Sequence, residues 1–414
     1  DGSVYREWWD NHLWRTKDKV NYIVPSKPVR ITLDPDAQTM DVDLRNNTTR
    51  MDYKLIFDWP GMRYNPRDTV VYKWLPSLYY NGVDSYTPGF RVDQTYGHWE
   101  RTRFWFNYAT KKDSASSQNN LYWSYLKIYK PVHFFRNSKF KLWGFNQPGL
   151  REYGMEIESK ISSTYQKKPY HTYKAGFYAQ PEIDTLRTNL FDPGRLAVLY
   201  LKYKIDNKLI DIDSEFSSSI DPYSDWSFNR ITLVSSLNKS ESFSDKNLMA
   251  KFGGFTYGGY RARFFMGKIW TDQHGVPNQE GYNIEGNSSA DMFRKSYLRN
   301  EDSFFGFNDF NTNYHMPGEG NIRGFVSQNE KGADAAGSVT SEIFMVNKRV
   351  DLSGYLEDRP ISFELAFFTD GGIFYNNGSM RKLGDAGIGI RLSSTVYDKP
   401  LYLRLDFPLI LFKD

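Results

Sequence analysis

Residues 400–409 read PLYLRLDFPL, and this stretch decides the fold. Its odd positions, Leu401, Leu403, Leu405, Phe407 and Leu409, are all apolar, while Tyr402, Arg404 and Asp406 between them are polar or amphipathic. Successive side chains of a β-strand point to opposite faces, so this period of two makes one face that seeks oil and one that seeks water. The same period recurs upstream. Phe363, Leu365 and Phe367 alternate with Ser362, Glu364 and Ala366, and Thr102, Phe104, Phe106 and Tyr108 alternate with Arg101, Arg103, Trp105 and Asn107. Leu199, Leu201, Tyr203 and Ile205 interleave with Tyr200, Lys202 and Lys204.

Segments of this kind, parted by turns rich in Asn, Asp, Ser and Gly, predict eleven strands near 69–80, 86–96, 100–110, 120–130, 139–147, 150–161, 168–180, 194–206, 226–238, 248–258 and 259–271. After a long gap, four more follow near 336–347, 361–374, 383–394 and 399–412, which makes fifteen. No comparable stretch has a helical period. Many of these strands reach ten residues, whereas strands of soluble sheets average about five or six. About ten tilted residues cross a bilayer. Aromatic residues near strand ends (Trp74, Tyr79, Tyr80, Trp99, Trp123, Tyr129, Trp143, Trp226, Trp270) suit the interfacial girdles of a membrane barrel. A soluble sandwich or propeller also gives many alternating strands, but requires neither the length nor the girdles. The expected class is therefore all-β, a transmembrane antiparallel β-barrel of about sixteen strands.

Composition agrees. Aromatics make up 17% of the 414 residues, yet mean hydropathy is −0.63. A membrane barrel hides its apolar half in alternation and keeps a polar bore, so it is rich in rings without being greasy. No run approaches the eighteen or so apolar residues of a spanning helix. The absence of cysteine excludes disulfides, thiolate zinc sites and cysteine nucleophiles. A net charge of +4 on 53 basic and 49 acidic residues carries no polyanion signal, so nucleic acid is not an expected partner. The opening DGSVYREWWD has neither a basic nor an apolar leader region, so a signal peptide has been removed or the stretch belongs to something longer.

Residues 1–50 form a pre-barrel segment: a Trp-rich piece (Trp8, Trp9, Trp14), then two short strand-like runs, Val29–Leu33 and Met40–Leu44. Residues 51–414 are assigned to the barrel, with 51–59 reading either as a linker strand or as one of its staves. Between the eleventh and twelfth strands lies a gap of residues 272–335, far longer than a compact domain needs. Near its end stand Asn321, Ile322, Arg323, Gly324 and Phe325. Beyond it come Glu342 within a strand, then Phe368-Thr369-Asp370-Gly371-Gly372, Gly387-Ile388-Gly389-Ile390-Arg391, and Leu403-Arg404-Leu405-Asp406-Phe407. Each motif alone is weak; their order and spacing are distinctive.

The series (I/V)RGF, strand glutamate, FxDxG, GxGxR and LRLDF resembles the C-terminal half of the Omp85 superfamily, the sixteen-stranded outer-membrane barrels of protein assembly and secretion. Tyr80-Asn81-Gly82-Val83-Asp84 followed by Pro88-Gly89-Phe90 resembles the first hairpin of Bacteroidota-type members. The resemblance implies that the long loop folds into the lumen between strands eleven and twelve. It implies too that Arg323 is held by Glu342 and Asp370 on the inner wall, beside a Gly324 that lets the chain turn tightly. Asp370 shares parity with Glu364 and Ser362, and Glu342 with Phe344. Implied partners are outer-membrane lipid and lipopolysaccharide, polypeptide clients or a fused domain, and other outer-membrane or periplasmic subunits. No POTRA-like repeats precede the strands, and a sixteenth strand is supplied either beyond residue 414 or by residues 51–59.

A fainter resemblance joins residues 25–48 to the segment after the catalytic region of Bacteroidota M1-type aminopeptidases, which implies an anchoring barrel behind a fused peptidase. The stretch itself has no HExxH, and its histidines (His12, His98, His133, His171, His274, His315) are scattered. No catalytic motif, cofactor or metal is expected; Asp211, Asp213 and Glu215 read as a solvated loop in preference to a calcium site.

Overall fold

A computed structural model describes residues 4–6, 23–36, 44–59, 66, 68–81, 85–96, 100–111, 121–130, 137–147, 150–162, 168–183, 192–242, 255–272, 275–283, 319–325, 332–350, 361–376, 378–396 and 399–414. Sixteen strands follow one another in the chain. They are β1 (Asp52–Phe57), β2 (Thr69–Asn81), β3 (Ser85–Tyr96), β4 (Glu100–Tyr108), β5 (Leu121–Tyr129), β6 (Ser138–Gln147), β7 (Leu150–Ser162) and β8 (Tyr170–Ile183). Then come β9 (Gly194–Asp206), β10 (Ile210–Ser219), β11 (Phe228–Ser242), β12 (Tyr257–Thr271), β13 (Ala335–Val350), β14 (Ile361–Asn376), β15 (Ser379–Val396) and β16 (Lys399–Lys413). All belong to one sheet in sequence order.

The two faces of the sheet differ as the alternation requires. On β14, Ala366, Phe368, Asp370 and Phe374 are buried while Phe367, Ile373 and Tyr375 are exposed. On β16, Leu403, Leu405 and Phe407 are exposed, and Arg404 and Asp406 turn inward. The inward face wraps around the segment between β12 and β13. Tyr178 of β8 hydrogen-bonds Glu280 of that segment, and Leu411 of β16 abuts Gly324 of the same segment. Strands eight positions apart in the sheet therefore face one common axis, which is the geometry of a barrel. No ladder joins β16 to β1 or β2 among the described residues.

Counting from Thr69, the long gap does separate the eleventh strand from the twelfth, although two readings behind that count fail. The residues expected to form a loop, Asp211, Asp213 and Glu215, lie in β10, where Lys202 of β9 pairs with Asp213 and Glu215. The period of two was present in Ile210, Ile212 and Phe216, but carboxylates on the intervening positions gave it the look of a solvated turn. Of the strand expected at 248–258, residues 248–254 lie outside the described residues and 257–258 open β12.

Two further expectations change. Residues 52–57 supply the sixteenth strand, yet β1 lies parallel to β2, with Asp52 opposite Thr69 and Phe57 opposite Trp74. The alternation of the C-terminal strand ends at Phe407: Gly387 faces Pro408 and Ala386 faces Ile410, so Leu409 bulges out between them. Only the backbone of Leu401 is described.

In the pre-barrel segment, residues 40–43 of the second expected run lie outside the described residues, and an antiparallel bridge joins Thr32 to Thr48. The aromatic belt is partial. Trp74, Tyr80, Tyr129 and Trp270 are exposed, Trp99 lies outside the described residues, and Trp143 is drawn to Glu152 by an indole N–H bond of 3.0 Å.

Candidate functional site

Within the gap, residues 275–283, 319–325 and 332–334 are described, and they form a stem against the inner wall. Tyr282 and Ala333 exchange two backbone hydrogen bonds, and Gly320 donates to the carbonyl of Asn283. Around this stem, Arg230 of β11 reaches Glu280 and Glu319 and lies over the Tyr282 ring, while Arg263 of β12 donates to the Glu319 carbonyl. The Tyr282 hydroxyl bonds the carbonyl of Ile231, and its ring lies over Gly267, where no side chain would fit. These contacts set the height at which residues 321–325 meet the wall.

Asn321 starts that tip with a φ of 57°, and the chain turns at Arg323 and Gly324, where the tight turn was expected. Ile322 is fully buried among Ala336, Phe374 and Leu383, in a place that exists because residue 372 is glycine: a Cβ there would stand 2.9 Å from the Ile322 Cδ1. Phe325 packs against the same cluster.

Arg323 is the centre of the site. Its Nε and Nη2 each lie 2.8 Å from a different oxygen of Asp370, and its Nη1 lies 3.0 Å from the Glu342 Oε2. Its side chain is 3% exposed and that of Asp370 0%. A planar fork meeting both oxygens of a buried carboxylate is directional in a way that a point charge is not. The guanidinium also stacks 4.0 Å from the centre of the Phe368 ring. That ring in turn lies across Gly387, where a Cβ would collide with it and with the Phe407 carbonyl. At Gly389 a Cβ would meet only the end of the Asp406 side chain, 2.6 Å from its Oδ1. The GxG of β15 is thus a dent in the wall that seats ring and guanidinium in layers. Gly324 is required by close approach: a Cβ would strike Leu411 and stand 2.8 Å from Asp385, whose carboxylate accepts the Gly324 N–H.

The wall beneath forms a wider network. Glu342 also receives Arg261 of β12 (2.7 Å) and Arg391 of β15, and Glu364 of β14 receives the same two arginines. Arg261, Arg323 and Arg391 thus face Glu342, Glu364, Asp370 and Asp385. Arg404 pairs with Asp406 on its own strand at 2.6 Å. The motifs give Arg391 no partner and do not point to Arg261 or Asp385, while Glu364 enters only through the face it shares with Asp370. The signal lay in cross-strand register, since Arg261 stands opposite Glu342 and Glu364 opposite Arg391. Among the described residues no group of side chains is arranged to hold a metal ion.

No known family's sequence profile and no curated protein matches this chain. Among solved structures it is similar to BamA from Haemophilus ducreyi lacking POTRA domains 1–3, at 11% identity and a TM-score of 0.44, over 87% of this chain and 81% of that one. At that strength the likeness decides nothing, and the side chains must carry any reading of function.

Proposed function

We propose that this chain is the membrane barrel of an Omp85-type protein of the bacterial outer membrane, acting in the insertion, assembly or translocation of polypeptides. The observation that carries the reading is the seating of Arg323 on Asp370 and Glu342, the contact its motif series implies. A buried, fork-paired arginine at the tip of a folded-in segment braces the wall between β13 and β15, next to the edge where β16 ends the ladder. The exposed aliphatic and aromatic face of β11–β16 supports lipid and lipopolysaccharide as the surroundings, since a soluble sheet would bury such a face. Polypeptide clients, with accessory subunits of the outer membrane or periplasm, follow from the same reading.

The test is depletion of the protein in its own cell, scored by heat-modifiable gel migration of other outer-membrane barrels and by secretion. Accumulation of unfolded barrels or retained secreted proteins, rescued by the wild type and not by Arg323→Ala, is the expected result. Unchanged folding and secretion after depletion would end the proposal.

A second reading, a barrel that anchors a fused M1-like hydrolase, draws support from the way the pre-barrel chain is fastened. Arg45 pairs with Glu100 at 2.6 Å and lies over the Tyr96 ring, and Arg30 pairs with Asp52 at 2.8 Å. Peptidase activity that stays with the outer-membrane fraction and is freed only by proteolysis of the chain ahead of Asp52 would favour it.

A further inference from the structure

We propose that the inward face of β2–β4 carries an anion-binding site, built by Arg91, Arg101 and Arg103, which takes a phosphate-type dianion from the bore. The site stands apart from the Arg323 seat and holds whether or not polypeptide is the client of the barrel.

Crowding around one carboxylate is the first argument. Asp93 of β3 is 3% exposed and has three guanidinium groups around it. Arg103 of β4 takes both of its oxygens, through Nε at 2.6 Å and Nη2 at 2.9 Å, and Arg101 adds Nη2 at 2.8 Å. Arg91 is left with its Nε 3.5 Å from the same carboxylate and turns its Nη2 to Asp58. A guanidinium has more N–H donors than a carboxylate has lone pairs, so three arginines offer more than Asp93 and Asp58 can accept. The Nε groups of Arg91 and Arg101 accordingly find no hydrogen-bond acceptor.

Charge is the second. Lys73 of β2 stands directly opposite Asp93. Among the described residues, Lys73, Arg91, Arg101 and Arg103 share the inward face of β2–β4 with Asp93, and Asp58 reaches in from the end of β1. Two positive charges remain in excess. A dianion neutralises that surplus, and the planar fork of arginine matches phosphate oxygens two at a time. The near-neutral balance of the whole chain conceals this local excess.

Access is the third. The Arg101 side chain is 43% exposed, and Arg91 and Arg103 are half-buried. Positions of the opposite parity carry the exposed rings of Phe90 and Phe104, so the rings face lipid and the guanidinium groups face the water of the bore. β3 ends at Tyr96 and β4 begins at Glu100, which pairs with Arg45 of the pre-barrel chain. The site therefore lies near the end of the bore at which that chain is fastened, and a recess lined by one sign of charge concentrates counter-ions.

The test is phosphorus NMR of inorganic phosphate added to the full chain in zwitterionic detergent micelles at constant ionic strength, the fold being checked by heat-modifiable migration. Saturable broadening of the phosphate line is expected in the wild type. Arg101→Gln should weaken the binding several-fold. Asp93→Asn removes the internal competitor and should strengthen it several-fold. A second arm replaces free phosphate with phosphatidic acid in the micelles, which should bind no more tightly to the wild type than to Arg101→Gln. No saturable broadening in the wild type would overturn the inference, as would equal binding by the wild type and Arg101→Gln. Binding confined to phosphatidic acid would place the phosphate among the lipids and overturn a site in the bore.

Discussion

Arg323 and Asp370 meet as a two-pronged ion pair, with Nε and Nη2 each 2.8 Å from a separate carboxylate oxygen and both side chains shut off from solvent. They lie 47 residues apart, one on the folded-in tip and one on β14, so the bond fastens the long segment to the wall. Breaking a buried pair from one side leaves a bare charge, which is the costly event; replacing both partners is milder.

Arg323→Ala and Asp370→Ala should each destabilise the barrel by about 3–5 kcal/mol, and the double variant should cost less than the two together. Urea unfolding in detergent, followed by loss of heat-modifiable migration, reads this. Arg323→Lys keeps the charge but not the fork, and should recover only part of the loss. Strict additivity of the two alanine variants would mean that the pair contributes nothing to the fold.

Gly387→Ala and Gly371→Ala make a matched pair. At 387 the new methyl meets the Phe407 carbonyl and the Phe368 ring, and backbone cannot yield as a side-chain tip can; at 371 the nearest atom is 3.9 Å away. The first should cost about 1–3 kcal/mol or more and release the Arg323 stack, while the second should stay within about 0.5 kcal/mol of the wild type. Equal stability of the two variants would show that the dent does not seat the ring.

Asp385 holds the tip through the backbone N–H of Gly324, which its carboxylate accepts. Asp385→Ala removes the acceptor of the Gly324 N–H and should cost about 1–3 kcal/mol, whereas Asp385→Asn retains a carbonyl oxygen and should cost less. Hydrogen exchange at Gly324 is the direct readout. It should quicken in the alanine variant and hold in the asparagine one; identical exchange in both would remove Asp385 from the site.

The outer face of β14 and β16 offers a test of the membrane itself. Leu405→Arg and Phe367→Arg, both on exposed apolar positions, should lower bilayer insertion by about 2–4 kcal/mol if they lie near the midplane. Refolding into liposomes reports this, with Ser338→Thr on the inner wall as a small-change control. Undiminished refolding of both arginine variants would place that face in water.

Residue order alone gave most of the strands, their faces and the position of the folded-in segment, with β1 left open and β10 lost. A period of two is local: Leu403, Leu405 and Phe407 announce their face with no knowledge of a partner. Arg323, Asp370 and Glu342 were legible because their motifs stand in a fixed order. It failed locally where charge disguised the period, as in β10. What only the tertiary structure decided is register. Arg261 and Glu364 are 103 residues apart, and they share a bond because the two ladders between β12, β13 and β14 bring them level. The seat of Phe368 on Gly387, the grip of Asp385 on Gly324 and the parallel lie of β1 have the same origin. Each depends on which residue stands opposite which, and side-chain alternation fixes that only to within a shift of two.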